Sequence, residues 1–313
     1  MRVLVTGSTG FVGKALIPAI LFRGHHPVEA VRRTKEKPND RVSTFVVGNI
    51  DGTTGWSKAV QSAEAVIHLA ARVHVMSESD GDPLAEYRRV NTEGTLNLAR
   101  QAAEVGVRRF ISLSTIGVNG NSTLHGKVFA PTDTPSPHDP YSMSKHEAEI
   151  GLHSIAKSTG MELVIIRPPL VYGANAPGNF GKLTRLVAKS LPLPLGSINN
   201  RRSLVGIDNL VDFIITCLEQ PTAANETFMV SDGEDLSTPD LIRRMARTMN
   251  RPARLLPVPV WALQAGAWLL GKGDAVQRLC GNLQVDISKS RTLLGWNPPI
   301  SVDEGLRRAV GGG

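Results

Sequence analysis

The sequence predicts an α/β fold, a doubly wound parallel sheet of the Rossmann type with a smaller C-terminal substrate lobe. Short apolar runs alternate with helical periodicity in the N-terminal half, which is typical of parallel strands covered by helices on both faces. A glycine-rich turn at residues 7–13 connects the first apolar run to the first helical segment. From about residue 173 the chain becomes rich in proline, glycine and asparagine, which indicates loops and short elements.

The apolar runs predict strands at residues 3–6, 28–31, 44–47, 65–69, 109–114 and 163–166. Helical periodicity predicts helices near residues 12–23, 84–105 and 140–158, and a helix at 208–218 that returns to cover the main sheet. Pro18 should bend the first helix mildly, whereas Pro83 stands at a helix start, where proline is favoured. Shorter elements are predicted at 175–181, 191–202 and 255–259.

The glycine-rich turn predicts a dinucleotide site. Its G-x-x-G-x-x-G spacing lies between an apolar strand and an apolar-periodic helix, as the dinucleotide fingerprint requires. The glycines allow a tight turn and a close approach to a pyrophosphate, and the helix N-terminus attracts its charge. The alternative is an ordinary strand-to-helix turn with extra glycines. The predicted cofactor contacts here are Gly7, Thr9, Gly10, Phe11, Val12 and Gly13.

The end of the second strand predicts which dinucleotide binds. An acidic residue there would accept hydrogen bonds from the ribose hydroxyls of NAD, but the strand runs into Arg32 and Arg33. Two guanidinium groups and no carboxylate favour a 2′-phosphate, and therefore NADP over NAD. Arginines are also common after strands at protein surfaces, which is the alternative explanation.

Two further strand ends are candidate cofactor contacts, because ligands bind at the carboxyl ends of parallel strands. Asn49 and Ile50, after the third strand, could flank the adenine. The segment Leu69-Ala70-Ala71, after the fourth strand, has small residues that would let a cofactor approach the backbone. Either segment could equally be ordinary loop sequence.

Tyr141 and Lys145 predict the chemistry. They lie four residues apart in a helix that Pro140 begins, so they share one face and the ammonium can stabilise a phenolate. The positive end of the helix adds to this stabilisation, and such a tyrosine can exchange a proton with an alcohol or ketone oxygen. The strand at 109–114 brings Ser114 and Thr115 to the same edge, where a hydroxyl could donate to that oxygen. The alternative is an unrelated tyrosine and lysine on one helix.

Composition narrows the classes of function. The net charge is +7, but the basic residues form small separated groups and only 5% of residues are aromatic, which disfavours nucleic-acid binding. Cys217 and Cys280 are too few for a disulfide framework and lack metal-ligand spacing, so no metal site is expected.

Two apolar stretches were considered as a membrane-spanning helix and as a secretory signal. The stretch at 258–270 is too short to span a bilayer and is predicted to be a core-facing helix, with a membrane-surface contact as the alternative. The apolar run at the N-terminus is too short for a secretory signal, which predicts a cytoplasmic protein.

The motifs resemble the extended short-chain dehydrogenase/reductases, specifically the NAD-dependent epimerase/dehydratase group that acts on nucleotide sugars. The resemblance covers nearly the whole chain. It rests on Thr6-Gly7-x-x-Gly10-x-x-Gly13, Val66-Ile67-His68-Leu69-Ala70-Ala71, Asn91-x-x-Gly94-Thr95, the segment 114–120, the Tyr141–Lys145 pair, Arg167-Pro168-x-x-Val171-Tyr172-Gly173 and the segment 202–210.

The resemblance implies a role for each matching residue. Thr115 occupies the position of the catalytic hydroxyl, Tyr141 is the acid/base, and Lys145 binds the nicotinamide ribose and lowers the pKa of the tyrosine. Asn91 and Pro168 would contact the cofactor, and Ser114 would contact the substrate beside Thr115. Arg202 would meet the diphosphate of the sugar nucleotide, with Asn179 and Arg278 as companions. Family members often pair two helices from each subunit, which implies a homodimer through the helices at 84–105 and 140–158.

Departures from the family pattern narrow the reaction. Dehydratases and decarboxylases of this family usually carry an acidic residue directly after the catalytic hydroxyl, where this chain has Ile116, so a 4,6-dehydratase is disfavoured. The segment Val118-Asn119-Gly120 stands where Val-Tyr-Gly is usual. That variant is similar to bacterial enzymes of O-antigen and capsule biosynthesis that reduce 4-keto-6-deoxy UDP-sugars, many of which are labelled 4-epimerases.

We therefore predict a nucleotide-sugar oxidoreductase with a UDP-sugar as its partner, one that reduces a UDP-4-keto-6-deoxy-hexose or hexosamine at C4 with NADPH. One alternative is a 4-epimerase of UDP-glucose or UDP-N-acetylglucosamine that retains NAD, and another is a non-catalytic sensor that binds NADP. Residues 1–172 with about 204–230 would form the NAD(P)-binding Rossmann domain, and about 173–203 with 231–313 the lobe that binds the nucleotide sugar.

Overall fold

A computed structural model describes residues 1–33, 41–73, 82–269 and 273–311. The strands are β1 (Arg2–Thr6), β2 (His26–Val31), β3 (Ser43–Val46), β4 (Ala65–His68), β5 (Arg109–Leu113), β6 (Glu162–Arg167), β7 (Leu170–Tyr172), β8 (Arg202–Gly206), β9 (Glu226–Met229) and β10 (Asp235–Leu236). Seven of them form one sheet in the order β3-β2-β1-β4-β5-β6-β9, in which every neighbouring pair is parallel. The chain builds outward from β1 in one direction and then from β4 in the other, so the switch point where ligands bind in such sheets lies between β1 and β4.

The helices are α1 (Phe11–Phe22), α2 (Ser57–Val60), α3 (Pro83–Tyr87), α4 (Gly94–Glu104), α5 (Pro140–Thr159), α6 (Gly178–Ala188), α7 (Ile207–Glu219), α8 (Thr238–Thr248), α9 (Val260–Leu269), α10 (Gly273–Cys280), α11 (Ser288–Leu294) and α12 (Val302–Val310). A π-helical turn, Arg88–Glu93, joins α3 to α4, and short 3₁₀ turns lie at Ile116–Val118 and Pro221–Ala223. In the described part of the chain, none of these helices has the length and apolarity needed to cross a membrane.

Helices cover both faces of the main sheet, which confirms the predicted doubly wound fold. On one face, Val3 and Val5 of β1 pack in a buried cluster with residues of α1 and α7. On the other face, Leu4 of the same strand packs in a cluster that includes Leu98 of α4 and Leu152 of α5. Alternate residues of one strand therefore enter two cores, and burial of each large aliphatic side chain contributes about 2 kcal/mol.

The C-terminal part contributes a second, three-stranded sheet in the order β10-β8-β7. A third buried cluster packs this sheet against α6, α8 and α12, with Phe180, Leu241 and Leu306 among its members. The predicted covering helix is α7, which follows β8 directly and returns to the main sheet. The proposed division into two interleaved domains stays a prediction.

Several predicted elements were wrong in detail. The helix expected at 84–105 is divided into α3, the π-helical turn and α4. The helix expected at 12–23 is α1, which continues through Pro18 as predicted. Neither β9 nor the small sheet was predicted. The segments expected to be short elements at 191–202 and 255–259 are mostly irregular, and one parallel bridge joins Leu193 to Leu255.

Candidate active site

The glycine-rich turn lies against the end of β4, at the switch point of the sheet. Gly7 has a φ of +71°, and a Cβ at this position would lie 2.7 Å from the backbone nitrogen of Ala70. A Cβ on Gly13 would lie only 2.3 Å from the carbonyl oxygen of Gly7. Both contacts are to backbone atoms, which cannot move aside as a side chain can. Only glycine therefore allows β1, α1 and the loop after β4 to approach one another this closely.

The same turn contains hydrogen-bond donors that could bind the diphosphate of a dinucleotide. No side chain caps the N-terminus of α1, and its first turn contains no acidic residue. The hydroxyl of Ser8 is buried, and no described residue forms a hydrogen bond with it. Thr9 is exposed beside it, and Phe11 and Val12 are partly buried. A phosphate would use the free N–H groups and the serine hydroxyl, so these residues fit the predicted cofactor. Sequence reasoning missed Ser8, since any small residue would satisfy the motif there.

The other predicted cofactor contacts, at the ends of β2 and β3, differ in their exposure. Arg32 and Arg33 follow β2 directly, are exposed, and form no ion pair with any described residue. Asn49 is exposed, but its carbonyl accepts a hydrogen bond from Thr54 (2.8 Å). Ile50 packs against α4, where a Cβ on Gly94 would lie 2.7 Å from it. The structure therefore gives Ile50 a packing contact, while the arginines and Asn49 remain accessible to a ligand.

A buried histidine supports the loop after β4. His68 contacts the hydroxyl of Thr6 (2.7 Å) through Nδ1 and that of Thr95 (2.9 Å) through Nε2. Thr6 also accepts a hydrogen bond from the backbone N–H of Ala70 (3.3 Å), so the partly exposed segment Leu69-Ala70-Ala71 is tied to β1. Burial, with the Lys145 cation adding to it, lowers the pKa of His68 to about 3. His68 is therefore neutral and acts as a linker between the two threonines.

Asn91 connects the loop after β4 to α5. Its side-chain amide donates to the carbonyl of Arg72 (3.1 Å) and to the hydroxyl of Ser144 (3.0 Å), and its oxygen accepts from the N–H of Arg72 (2.8 Å). Asn91 is fully buried in the π-helical turn. These three bonds position the loop after β4 against α5, and the predicted cofactor contact of Asn91 stays a prediction. Such π-helical turns are frequent at functional sites.

The first turn of α5 presents Tyr141. Asp139 caps the helix through the N–H of Ser142 (2.7 Å), and the hydroxyl of Ser142 accepts in return from the N–H of Asp139 (3.1 Å). This capping box fixes the helix start. The ring of Tyr141 lies edge-on to that of Tyr87, with 6.1 Å between centroids. One turn further, Lys145 is buried beneath the surface with 2% of its area exposed.

Burial changes the proton affinities of this pair. It raises the pKa of Tyr141 above the ordinary value of 10, and Asp139 and Tyr87 shift it in the same direction. Burial also lowers the pKa of Lys145 to about 8, which the Glu149 carboxylate partly opposes. These surroundings oppose ionisation of the phenol, and the predicted lowering of its pKa by Lys145 stays a prediction. Lys145 is buried and Tyr141 is partly buried, and the loss of hydration penalises the charged form of each.

This burial predicts a stability effect that depends on pH. Between pH 8 and 10.5 the unfolded chain holds a proton on Lys145 that the native protein has lost, so this residue's contribution to stability rises with pH. We expect Lys145→Met to be more stable than wild type at pH 7, by on the order of 3 kcal/mol at most. That advantage should disappear as the pH rises through this window. Urea denaturation of both proteins at several pH values measures the difference, and a difference that is constant with pH contradicts the assignment.

Ser114 and Thr115 have different surroundings. Ser114 is buried and donates a hydrogen bond to Glu149, which also receives a two-bond contact from Arg167 (3.1 and 2.5 Å). This network uses the proton of the Ser114 hydroxyl, and the contact of Ser114 with substrate stays a prediction. Thr115 is partly exposed and accepts from the N–H of Gly117 (3.1 Å). A Cβ on Gly117 would lie 3.1 Å from the Cβ of Ser142, so the turn that Thr115 begins packs against the start of α5.

This difference predicts opposite effects for two matched substitutions. We expect Thr115→Ala to lower kcat by about a hundredfold, as loss of one donor to a reacting oxygen does, with little effect on stability. We expect Ser114→Ala to leave kcat within a few-fold and to cost about 1–2 kcal/mol of unfolding free energy, since it weakens a buried network. Steady-state kinetics and urea denaturation of both variants measure these effects. Equal loss of kcat in both would contradict the distinction.

Arg202 marks a candidate anion site in the C-terminal part. It lies at the start of β8 and donates to the carbonyl of Gly281 (2.9 Å), and it has no carboxylate partner among the described residues. Burial lowers the pKa of Arg202 to about 10. Nearby, Thr123 pairs with Asn282, and its hydroxyl is buried without a hydrogen-bond partner in the described chain. A partly buried cation beside an unused donor is suited to a phosphate oxygen.

Three predicted site residues remain, and the side chain of one of them lies outside what the structure describes. Asn179 is exposed in the first turn of α6. Arg278 belongs to α10, but its side chain lies outside the described residues. Pro168 is buried, and its carbonyl accepts from the N–H of Ile116 (3.0 Å). Ile116 itself is buried in an apolar cluster with Met229 and others.

The sheet with its switch point, the glycine-rich turn and the Tyr141–Lys145 pair define an NAD(P)-dependent enzyme of the short-chain dehydrogenase/reductase type. The model of the NAD dependent epimerase/dehydratase family matches residues 3–231, and the chain belongs to this family. It is 47% identical over 309 residues to a UDP-glucose 4-epimerase of Vibrio cholerae, in a match that covers 98% of this chain and 94% of that relative.

Two solved structures share the fold over almost the whole chain. A UDP-glucuronic acid 4-epimerase of Bacillus cereus in complex with UDP-glucuronic acid and NAD has a TM-score of 0.79 at 24% identity, covering 99% of this chain and 98% of the other. A UDP-glucose 4-epimerase of Thermotoga maritima with UDP-glucose has a TM-score of 0.77 at 22% identity and the same coverage. At these identities the two comparisons establish the fold alone.

Proposed function

We propose that the protein is a UDP-sugar 4-epimerase that keeps its NAD through each catalytic cycle. The observation that carries this proposal is the 47% identity, along nearly its whole length, to the Vibrio cholerae UDP-glucose 4-epimerase. The geometry of the site supports the oxidoreduction step on which such an epimerase depends. The sugar is inverted at C4 by oxidation to a ketone and reduction from the opposite face.

Tyr141 is the proposed proton carrier. In the first half-reaction its phenolate accepts the proton of the C4 hydroxyl, and in the second the phenol returns a proton to the C4 oxygen. Lys145 holds a positive charge below its pKa of about 8 and can stabilise that phenolate once substrate is bound. The Thr115 hydroxyl donates to the same oxygen and fixes its position. The glycine-rich turn and Ser8 would hold NAD, which would accept the hydride from C4 in the first half-reaction and return it in the second.

The substrate would be held by its diphosphate. Arg202 provides an uncompensated positive charge at the start of β8, and the unused Thr123 hydroxyl provides a neutral donor near it. An anion bound there would compensate the partly buried guanidinium for the hydration that it has lost. Asn179 and Arg278 stay proposed companions in the same lobe.

The second candidate is an NADPH-dependent reductase of a UDP-4-keto-6-deoxy sugar, the reaction that the sequence favoured. The observation for it is the exposed pair Arg32 and Arg33 after β2, with no carboxylate in the position that would accept from an NAD ribose. The epimerase is preferred because the relatives named above are epimerases and the Bacillus cereus structure holds NAD. A non-catalytic sensor ranks third, since Thr115, Tyr141 and Lys145 are all present.

One experiment separates these candidates. The purified protein is incubated with UDP-glucose, UDP-N-acetylglucosamine or a UDP-4-keto-6-deoxy-hexose, with and without added NADPH. We expect the C4 epimer of UDP-glucose or UDP-N-acetylglucosamine to form without net change in cofactor. Stoichiometric loss of NADPH with the keto sugar would instead establish the reductase, and no turnover with any substrate would favour the sensor. A separate titration with NAD and NADP tests whether Arg32 and Arg33 favour NADP, which would then bind more tightly.

We further propose a homodimer through α4 and α5, as the family resemblance implies. Ile150 of α5 is 57% exposed, which is unusual for a large apolar side chain in the middle of a long helix. Light scattering on the purified protein measures the mass, and Ile150→Glu should convert a dimer to a monomer. A wild-type monomer would contradict the proposal.

A further inference from the structure

An apolar surface in the C-terminal part has no cover in the described chain. Helix α9 was expected to face the core, but none of its described side chains is fully buried. Val260 and Leu263 pack partly against the third core cluster, whereas Trp261 is 71% exposed and Trp268 is 80% exposed. These tryptophans are seven residues apart, which is about two helical turns, so both project from the outer side of the helix.

Two further residues extend this surface. The backbone of Leu193 bonds to Arg254 (2.8 Å) and to Leu256 (2.8 Å), which places the chain before α9 beside the segment after α6. Leu256 is 48% exposed and Leu191 is 44% exposed. We call the exposed side chains of Leu191, Leu256, Trp261 and Trp268 the tryptophan face.

The two sequence segments that contribute to the tryptophan face carry basic but no acidic residues. The chain contains no Asp or Glu between residues 163 and 207 or between residues 241 and 273, the two segments that build this region. Basic residues in the same segments are Arg167, Lys182, Arg185, Lys189, Arg201, Arg202, Arg243, Arg244, Arg247, Arg251, Arg254 and Lys272. Arg167 is buried and paired with Glu149. Arg243 and Arg244 are paired with carboxylates, but Arg247, Arg251 and Arg254 are exposed and form no ion pair with a described residue.

We propose that the tryptophan face docks on an anionic lipid bilayer. Tryptophan favours the boundary between headgroups and acyl chains, and exposed arginines next to an apolar helix attract anionic headgroups. A second copy of the chain fits less well, because a symmetric pairing would bring the two sets of unpaired arginines together. With α9 too short to cross a membrane, the contact is peripheral and reversible. This inference does not depend on the proposed function.

The test uses vesicles and the protein's own fluorescence. Trp56 and Trp296 are buried, so Trp261 and Trp268 dominate any change in emission when the surface is covered. We expect the wild-type protein to sediment with vesicles of equimolar phosphatidylcholine and phosphatidylglycerol, with a blue shift of emission. It should bind vesicles of pure phosphatidylcholine at least about tenfold more weakly, and added salt should weaken the binding.

Three variants make the test specific. Trp261→Ser with Trp268→Ser should weaken binding by about tenfold or more, and Arg251→Gln with Arg254→Gln by a similar factor. Phe22→Ser is the matched control, because Phe22 is 90% exposed on α1 and should not affect binding. Turnover on a soluble UDP-sugar should be unchanged in all three.

Two results would overturn the proposal. One is a wild-type protein that does not bind the phosphatidylglycerol vesicles, or that binds no more tightly than the tryptophan variant. The other is a wild-type oligomer that the tryptophan substitutions convert to a monomer with no effect on vesicle binding, which would assign the face to a second copy of the chain. Light scattering on wild type and variant measures the latter.

Discussion

Tyr141→Phe is expected to lower turnover by about a thousandfold while the protein still binds its dinucleotide. The substitution removes only the phenolic oxygen, and the ring can keep its edge-on contact with Tyr87. The loss should be in kcat, with little change in KM, because the phenol acts on the reacting oxygen and not on the diphosphate. Steady-state kinetics on UDP-glucose and a dinucleotide titration measure the two properties.

Tyr87→Phe is the matched control for this experiment. It removes a phenolic oxygen from the neighbouring ring, which is buried, without removing the proposed proton carrier. We expect its turnover to stay within a few-fold of wild type. If Tyr141→Phe keeps a tenth or more of wild-type turnover, or if both variants lose activity equally, Tyr141 is not the proton carrier.

Gly13→Ala is expected to lower dinucleotide affinity by about a hundredfold or more. The added Cβ would lie 2.3 Å from the Gly7 carbonyl oxygen and 2.5 Å from the Cα of Ser8, both of which are backbone atoms. The turn must open to relieve that overlap, and a strain of about 3 kcal/mol corresponds to a hundredfold in affinity. Alanine is otherwise the better residue inside a helix, so helix propensity alone predicts a slight gain.

A graded set of variants separates this effect from loss of the fold. A Cβ on Gly10 would lie 3.2 Å from the same carbonyl oxygen, so Gly10→Ala should lose less affinity than Gly13→Ala. A Cβ on Gly55 would meet no atom within 4 Å, and Gly55→Ala should bind normally. Dinucleotide titration with thermal melts of each protein measures the series. Affinity that is unchanged in Gly13→Ala would mean that the glycine-rich turn does not hold the diphosphate.

The main sheet could be predicted because its inner strands are buried on both faces. In β1 and β4 nearly every residue is buried, and such strands form uninterrupted apolar runs. At the edge of the sheet this signal disappears. In β9 only Phe228 and Met229 of the four residues are buried, and its pairing with β6 is set by tertiary contacts. The short strands β7 and β10 likewise lack an uninterrupted apolar run that would predict them from the sequence.

Residue types at the site could be predicted, but their partners could not. A serine after a strand and an asparagine in a helix are equally able to contact a ligand or the protein. Ser114 bonds to Glu149 and Asn91 to Arg72, and both partners come from other elements of the fold. The pKa directions of Tyr141 and Lys145 likewise follow from burial, which spacing along a helix does not report. The four-residue spacing did predict that Tyr141 and Lys145 share one face of a helix, because helix geometry alone brings such residues together.

The most direct test of the proposed mechanism follows the hydrogen at C4 of the sugar. UDP-glucose deuterated at C4 is incubated with the purified protein without added cofactor, and the products are analysed by mass spectrometry and NMR. Because the same hydrogen leaves C4 and returns to its opposite face, we predict UDP-galactose that retains deuterium at C4, with no net change in bound NAD. Galactose product that has lost its deuterium, or no inversion at C4 while NADPH is consumed on a 4-keto sugar, would contradict the account.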